Sequence, residues 1–127
     1  MDIQTEPAGI LSIRVVAMPA DTNASGDIFG GWLVSHMDLA GVCESTRRSR
    51  CRTVTVAINS LNFIKPVSVG DIVGCYTELL KVGRTSMQFK IECWTQSLKH
   101  QQLSKVAEGD FVYVAIDENG KPQPVDR

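Results

Sequence analysis

One acidic residue, Asp38, stands in an otherwise apolar stretch, where a carboxylate could act as a general base or a nucleophile. The segment from Asn23 to Gly41 reads NASGDIFGGWLVSHMDLAG, and its second half is largely apolar around the acid. Burying a carboxylate is costly unless the group is paired or tuned for chemistry. Asp38 is therefore either a structural acceptor of hydrogen bonds from backbone amides or a distant arginine, or a catalytic group. The segment alone leaves both interpretations open.

Two adjacent glycines, Gly30 and Gly31, precede the acid and could help to bind an oxyanion. They fall at the start of a predicted helix, where backbone N–H groups are unpaired and glycine lets a carbonyl approach closely. They could equally ease the packing of helix against sheet. Asn23, in the preceding loop, could orient a water or a carbonyl, or make a local turn bond. Asp27 is predicted to be the N-cap or a first-turn residue.

Two basic positions beside turns are candidates for binding phosphate. The stretch KVGRTSM places Gly83 and Arg84 in a turn between predicted strands, and Lys65 ends an earlier strand just before Pro66. Free amides and cationic side chains at a turn can hold phosphate groups. Solvated hairpin tips carry the same residue types, so this pattern also leaves both interpretations open.

The residue types that ligate metals are scattered along the chain. They are four cysteines with no C-x-x-C pair and two isolated histidines, namely Cys43, Cys51, Cys75, Cys93, His36 and His100. These spacings do not suit a zinc site, so we expect no metal and no cofactor. The cysteines are predicted to be small core residues in a reducing compartment, which favours a cytoplasmic protein.

Length, charge and hydropathy exclude several classes of protein. The 127 residues fit one domain, residues 1–127, and the 43% hydrophobic share predicts an ordinary core. A net charge of −1 with scattered basic residues argues against nucleic-acid binding. The short cluster RRSRCR, from Arg47 to Arg52, is predicted to be a solvated loop after a helix. We expect no membrane span and no signal peptide.

The candidate residues must be positioned by one long helix and five strands. The helix is predicted from about Ile28 to Thr46 and is apolar on every side, which is typical of a helix wrapped by other elements. Strands are predicted over residues 9–18, 53–64, 71–83, 85–96 and 103–117, and their short turns favour antiparallel neighbours. The predicted fold class is α+β, with an antiparallel sheet curled around the helix. Because one sheet covers such a helix poorly, we expect a second subunit.

The fourth predicted strand alternates clearly between two faces. One face is predicted to be buried and carries Met87, Phe89, Ile91 and Cys93. The other face is predicted to be solvated and carries Gln88, Lys90 and Glu92. The C-terminal tail QPVDR is expected to be frayed.

Three stretches of the chain resemble the YciA-type acyl-CoA thioesterases of the hot-dog superfamily, in order and at suitable spacing. They are MPADTNASGDIFGGWLVSHMD (Met18–Asp38), NFIKPVSVGD (Asn62–Asp71) and KVGRTS (Lys81–Ser86). The first is long and specific, and the resemblance covers nearly the whole chain from Leu11 to Asp117. It implies hydrolysis of acyl-CoA to a free acid and CoA, without metal or cofactor. It also implies a homodimer that assembles further to a hexamer, a trimer of dimers.

The resemblance implies roles for individual residues as well. It makes Asp38 the catalytic general base or nucleophile, adds Asn23 and Gly31 as catalytic residues, and implies substrate-binding roles for Gly30, Lys65, Arg84 and Ser86. Asp38 follows Gly31 by 7 residues, roughly 10 Å along the axis of the predicted helix. We therefore expect the acid and the oxyanion amides of one site to come from different subunits, at the dimer interface.

Two other functions fit parts of the pattern. A non-catalytic acyl-CoA-binding module is the main alternative, but such a sensing domain is expected to adjoin an effector segment, which we do not expect within 127 residues. A hot-dog dehydratase would need a histidine in an HFP-like context, and neither His36 nor His100 has one.

Overall fold

One helix and five strands make up the fold. A computed structural model describes residues 4–97, 99 and 101–127. The strands are β1 (Ile10–Val16), β2 (Thr53–Phe63), β3 (Ile72–Val82), β4 (Ser86–Gln96) and β5 (Ser104–Ala115). A 3₁₀ turn (Pro19–Asp21) and the helix α1 (Gly30–Ser49) lie between β1 and β2. The predicted element order and the α+β class are confirmed.

The strands form a five-stranded sheet in the order β1-β3-β4-β5-β2, and all neighbouring pairs are antiparallel. β1 and β2 are therefore the two edges. The helix α1 lies across one face of the sheet and contacts all five strands. β2 follows the helix directly in the sequence and pairs with β5. Each of these two strands donates a hydrogen bond to Asp38, so together they form the part of the sheet beside it.

The core fills the space between α1 and the sheet. The predicted buried face of β4 is confirmed, since Met87, Phe89, Ile91 and Cys93 are at most 2% exposed. The helix contributes Trp32, Leu33, Met37 and Ala40 to the same cluster. Away from the sheet the helix is open in the single chain, where Leu39 is 53% exposed. An apolar helix that its own sheet covers on one side only fits the expectation that a second subunit is needed.

The start of the helix differs from the prediction. α1 begins at Gly30 rather than Ile28, because the Ile28 N–H donates to the carbonyl of Val67 and the chain there is still extended. Phe29 is the N-cap residue and makes no side-chain cap bond. The prediction that Asp27 caps the helix or lies in its first turn is therefore wrong.

The end of the helix also differs, since α1 continues to Ser49. Arg47 and Arg48 occupy its last turn and not a solvated loop, so that part of the prediction is wrong. Cations there interact favourably with the helix dipole. Arg50 ends the helix in the left-handed conformation, with φ 60°, and its N–H donates to the Thr46 carbonyl.

Two segments that were predicted to be solvated or frayed are packed against the fold. Glu92 is 0% exposed, because the N-terminal residues Gln4 and Ala8 cover it and donate hydrogen bonds to its carboxylate. In the tail, Val125 is 3% exposed and its N–H donates to the Arg84 carbonyl. Both predictions are wrong for the same reason: a segment distant in sequence supplies the partner.

The cysteines divide into two groups. Cys75 and Cys93 are buried, face each other across β3 and β4, and have their sulfur atoms 3.4 Å apart, as free thiols. Cys43 is exposed on the open side of α1, and Cys51 is half-buried just after the helix. The prediction of core cysteines is confirmed for the first pair and wrong for Cys43.

Candidate active site

The carboxylate of Asp38 is held by two neutral donors from the sheet. Thr55 on β2 donates from Oγ1 to Oδ1 at 2.6 Å, and Tyr113 on β5 donates from Oη to the same oxygen at 3.0 Å. Tyr113 also donates to the backbone carbonyl of Asp38 at 3.0 Å. Both donors lie on elements other than α1, and neither of them is a cation.

The second carboxylate oxygen, Oδ2, is the one available for chemistry. Among residues 4–97, 99 and 101–127, no group donates to Asp38 Oδ2 and no ion pair includes Asp38. Oδ2 therefore keeps its capacity to accept a hydrogen bond. Because the side chain is only half-buried, a ligand can reach this oxygen. This arrangement suits a group that takes a proton from water or attacks a carbonyl.

A cavity of about 400 Å³ lies at the start of α1 and contains several predicted site residues. Asn23, Gly30 and Lys65 line it, together with apolar side chains that include Leu33, Phe63 and Ile64. Because the first N–H groups of a helix have no intrahelical acceptor, the Gly30 end of the cavity offers donors to a developing negative charge. A cavity with apolar walls and a few polar groups is suited to an acyl group and its carbonyl.

Gly30 and Asn23 shape the cavity at the start of the helix. A Cβ at Gly30 would lie 3.1 Å from the ring of Phe63, so a side chain there would crowd the cavity wall. Gly31 is exposed beside it and is not among the lining residues. Asn23 Oδ1 accepts from the backbone N–H groups of Ser25 and Asp27, at 2.9 and 3.2 Å, so its NH₂ group is the part of the side chain that could donate to a ligand.

The acid and this cavity do not meet within one chain. Asp38 follows Gly30 by eight residues, about 12 Å along the helix axis, and is not among the residues that line the cavity. The structure thus brings together Asn23, Gly30 and Lys65 and leaves Asp38 apart from them. Each half of the predicted chemistry is present, on different parts of the same helix.

The remaining predicted residues lie at the turn between β3 and β4. Arg84 is exposed at its tip, and Ser86 begins β4. The Gly83 N–H donates to the Ser86 carbonyl at 2.8 Å, so this amide is engaged within the turn and is not free for a phosphate. The C-terminal tail supports the same turn through the hydrogen bond from Val125 to Arg84.

Thr55 and Tyr113 were not among the predicted site residues. Thr55 lies in the alternating run TVTV, which puts it on the same face as Thr53, but the pattern does not say that this face meets the helix acid. Tyr113 is 75 residues from Asp38 in sequence. The sequence signal that could have indicated this contact is Gly41, a glycine within the predicted helix one turn after Asp38. In the structure a Cβ at this position would overlap the Tyr113 hydroxyl.

Within the described part of the chain, no three His, Cys, Asp or Glu side chains come together as a possible metal site. His36, whose Nδ1 lies 3.0 Å from the Trp32 carbonyl, packs against the Trp32 ring and makes no bond to Asp38. His100 lies outside the described residues. None of the described helices is both long enough and apolar enough to span a membrane.

Comparison with known proteins connects this arrangement to a family. The profile of the thioesterase superfamily matches residues 25–100, which include the helix, Asp38 and five of the other predicted site residues. The acyl-CoA thioester hydrolase YciA of Escherichia coli is 44% identical over 120 residues, covering 92% of this chain and 91% of that protein. The chain belongs to the YciA-type thioesterases.

Solved structures of the family superpose closely on this chain. A hexameric thioesterase from Yersinia pestis is 44% identical with a TM-score of 0.92, over 96% of this chain and 99% of that one. A hexameric broad-specificity acyl-coenzyme A thioesterase, solved as an aspartate-to-alanine variant, is 46% identical with a TM-score of 0.91, over 94% and 88% of the two chains. The hot-dog architecture that the sequence predicted is confirmed.

Proposed function

We propose that this YciA-type acyl-CoA thioester hydrolase cleaves acyl-CoA to a free carboxylic acid and CoA at sites built from two subunits. One observation carries the proposal. The open oxygen of Asp38 and the cavity at Gly30 are complementary halves of a hydrolytic site that one chain keeps apart. The family match supports the substrate class, because its relatives are acyl-CoA thioester hydrolases.

In the proposed reaction, Asp38 activates water at the thioester. The water gives a proton to the carboxylate as its oxygen bonds to the carbonyl carbon, and the negative charge moves to the carbonyl oxygen. The N–H groups of Gly30 and Gly31 donate to that oxyanion. The carbon–sulfur bond then breaks, and the departing CoA thiolate takes the proton from Asp38. Asp38 could instead attack the carbonyl carbon directly and expel CoA as the thiolate. Water would then hydrolyse the resulting anhydride, which regenerates the Asp38 carboxylate and supplies the proton for the thiolate.

The other residues of the cavity orient the substrate. The NH₂ group of Asn23 faces the position of the thioester carbonyl or the water, because its oxygen is engaged in the loop. Lys65, exposed at the cavity rim, attracts the CoA phosphates. Arg84 and Ser86 lie away from this cavity, so we assign them to the phosphates of a substrate bound across subunits.

The proposed assembly is a homodimer that associates further into a hexamer. Exposed apolar side chains surround both the helix start and the helix middle, among them Phe29, Leu39, Ile58, Phe63 and Ile64. In a dimer with its two-fold axis beside this patch, the partner subunit would cover the patch, and the helix start of one chain would lie near Asp38 of the other. Relatives of 44% and 46% identity are hexamers. A cytoplasmic location stays a prediction.

A mixed dimer tests the shared site. One inactive chain carries Asp38→Asn, and the other carries Gly30→Val, which obstructs the cavity. In a heterodimer one site combines both intact elements and the other combines both defects. We expect subunit exchange to restore thiol release from acyl-CoA to as much as half of the wild-type activity per dimer.

The controls are the two parent homodimers, each shown to fold by circular dichroism and to be inactive alone. Verified heterodimers that remain as inactive as both parents would mean that one chain supplies acid and oxyanion donor together. Wild-type protein that binds acyl-CoA and releases no thiol across a panel of chain lengths would favour the non-catalytic binding module instead.

A further inference from the structure

We propose that Tyr113 is a positioning residue for catalysis, whose phenol holds one oxygen of the Asp38 carboxylate and thereby directs the open oxygen, Oδ2, toward the substrate. This inference rests on the proposed role of Asp38 as general base or nucleophile. It concerns a residue on the last strand, far in sequence from the helix, and it predicts a loss of kcat with little change in KM.

The geometry of the phenol fixes both the side chain and the backbone of the acid. Tyr113 Oη lies 3.0 Å from Asp38 Oδ1 and 3.0 Å from the Asp38 carbonyl oxygen. A donor placed between these two acceptors restricts rotation of the carboxylate relative to its own helix turn. Thr55 Oγ1 engages the same Oδ1 at 2.6 Å, so the two donors together hold one oxygen and leave Oδ2 open.

The helix leaves a space for this phenol. Gly41 is buried one turn after Asp38, and a Cβ there would overlap the Tyr113 hydroxyl. Any larger residue at position 41 would force the ring away from the acid or the helix away from the sheet. The Asp-x-x-Gly spacing on α1 and the tyrosine on β5 therefore form one unit, in which glycine provides the access and the phenol provides the contact.

The phenol is suited to act as a neutral donor at every working pH. Burial and the adjacent Asp38 carboxylate raise the pKa of Tyr113 well above its ordinary value. The hydrogen-bond donors that reach the carboxylate from β2 and β5 are Thr55 and Tyr113, and both are uncharged. Its neighbours at one turn on α1 carry no charge and are Val34, Gly41 and Val42.

A carboxylate is an effective base or nucleophile only when its free oxygen is aimed at the reacting atoms. Without the phenol, Thr55 alone holds the Asp38 side chain, and Oδ2 is less often in the productive orientation. The loss therefore lowers kcat, and it leaves substrate binding, and with it KM, largely unchanged. A side chain that only filled core space would not produce this split between kcat and KM.

Tyr113→Phe is the direct test, because it removes the hydroxyl and keeps the ring between Phe89 and Phe111. We expect kcat to fall about 10- to 100-fold, in line with the loss of a hydrogen bond to a charged group, with little change in KM. The matched control is Tyr76→Phe on β3, a half-buried tyrosine outside the site, which should match the wild type.

Gly41→Ala gives an independent arm, since it displaces the phenol without altering it. We expect the same fall in kcat at a retained KM, with folding checked by thermal unfolding. A wild-type kcat for Tyr113→Phe, in a protein that Asp38→Asn inactivates, would overturn the positioning role and leave the proposed function intact. Full activity of Asp38→Asn would instead overturn the proposed function itself.

Discussion

Asp38 on the helix is half-buried and Glu92 on the sheet is fully buried, and the partners of the two carboxylates differ. Asp38 meets a threonine and a tyrosine hydroxyl, both on one oxygen, and no cation. Glu92 accepts from Trp94 Nε1 at 2.9 Å, from Gln4 and from the Ala8 N–H. Lys105 and Lys90 add ion pairs to it at 3.3 and 3.5 Å.

The difference separates a reactive carboxylate from a structural one. At Glu92 both oxygens are engaged and the charge is balanced, so the group holds the N-terminal segment against the sheet and has little capacity for a ligand. Burial alone would raise the pKa of Glu92, but the hydrogen bonds from Trp94, Ala8 and Gln4 and the charge of Lys105 outweigh it and lower the pKa. At Asp38 one oxygen stays open, which is what a catalytic carboxylate requires.

The largest effect is expected at the helix acid. Asp38→Asn keeps the shape of the side chain and an oxygen to accept from Thr55 and Tyr113, so the unfolding free energy should change little. The open oxygen can no longer take a proton, and thiol release should fall by at least about a hundredfold. Steady-state rates together with urea unfolding measure both quantities, and wild-type turnover would remove Asp38 from the mechanism.

The converse is expected at the sheet acid. Glu92→Gln removes one of the two carboxylates that pair with Lys105, whose ion pair with Glu108 at 2.8 Å remains, and presents an NH₂ group to a site full of donors. We expect the unfolding free energy to fall by about 1–3 kcal/mol. Turnover per folded molecule should stay near wild type. Urea unfolding at fixed protein concentration tests this, because the proposed assembly would make stability depend on concentration. An unchanged unfolding free energy would show that the hydrogen bonds and ion pairs of Glu92 make no net contribution to stability.

A smaller effect is expected on the pH dependence of stability. Because the pKa of Glu92 is lowered on folding, its stabilisation is fully present above the unfolded value of about 4.3 and is lost as pH falls through the folded value. The difference in unfolding free energy between wild type and Glu92→Gln should therefore shrink between about pH 6 and pH 3. A difference that stays constant over this range would contradict the lowered pKa.

Much of the fold could be predicted from the sequence because its signals are local. Alternation along β4 predicts its buried face, and the apolar run after Gly30 predicts the helix, since both depend on the period of one element. Boundaries were less predictable. The helix began two residues later than expected because Ile28 bonds to Val67, an acceptor that no local pattern reveals.

For the site, the sequence by itself identified the unusual acid and the glycines before it. Asp38 stands out by residue type in an apolar run, and that contrast can be read without coordinates. Only the tertiary structure decided that Thr55 and Tyr113 hold this acid and that Lys65 shares a cavity with Asn23 and Gly30. Such contacts depend on which strands lie side by side.

Glu92 shows the same division from the other direction. Alternation correctly put it on the face of β4 away from the helix, and solvation was the natural expectation for that face. The tertiary structure decided otherwise, because Gln4 and Ala8 fold back over it from the other end of the chain. Periodicity determines the side of a strand on which a residue lies, whereas burial depends on whether a distant segment covers that side.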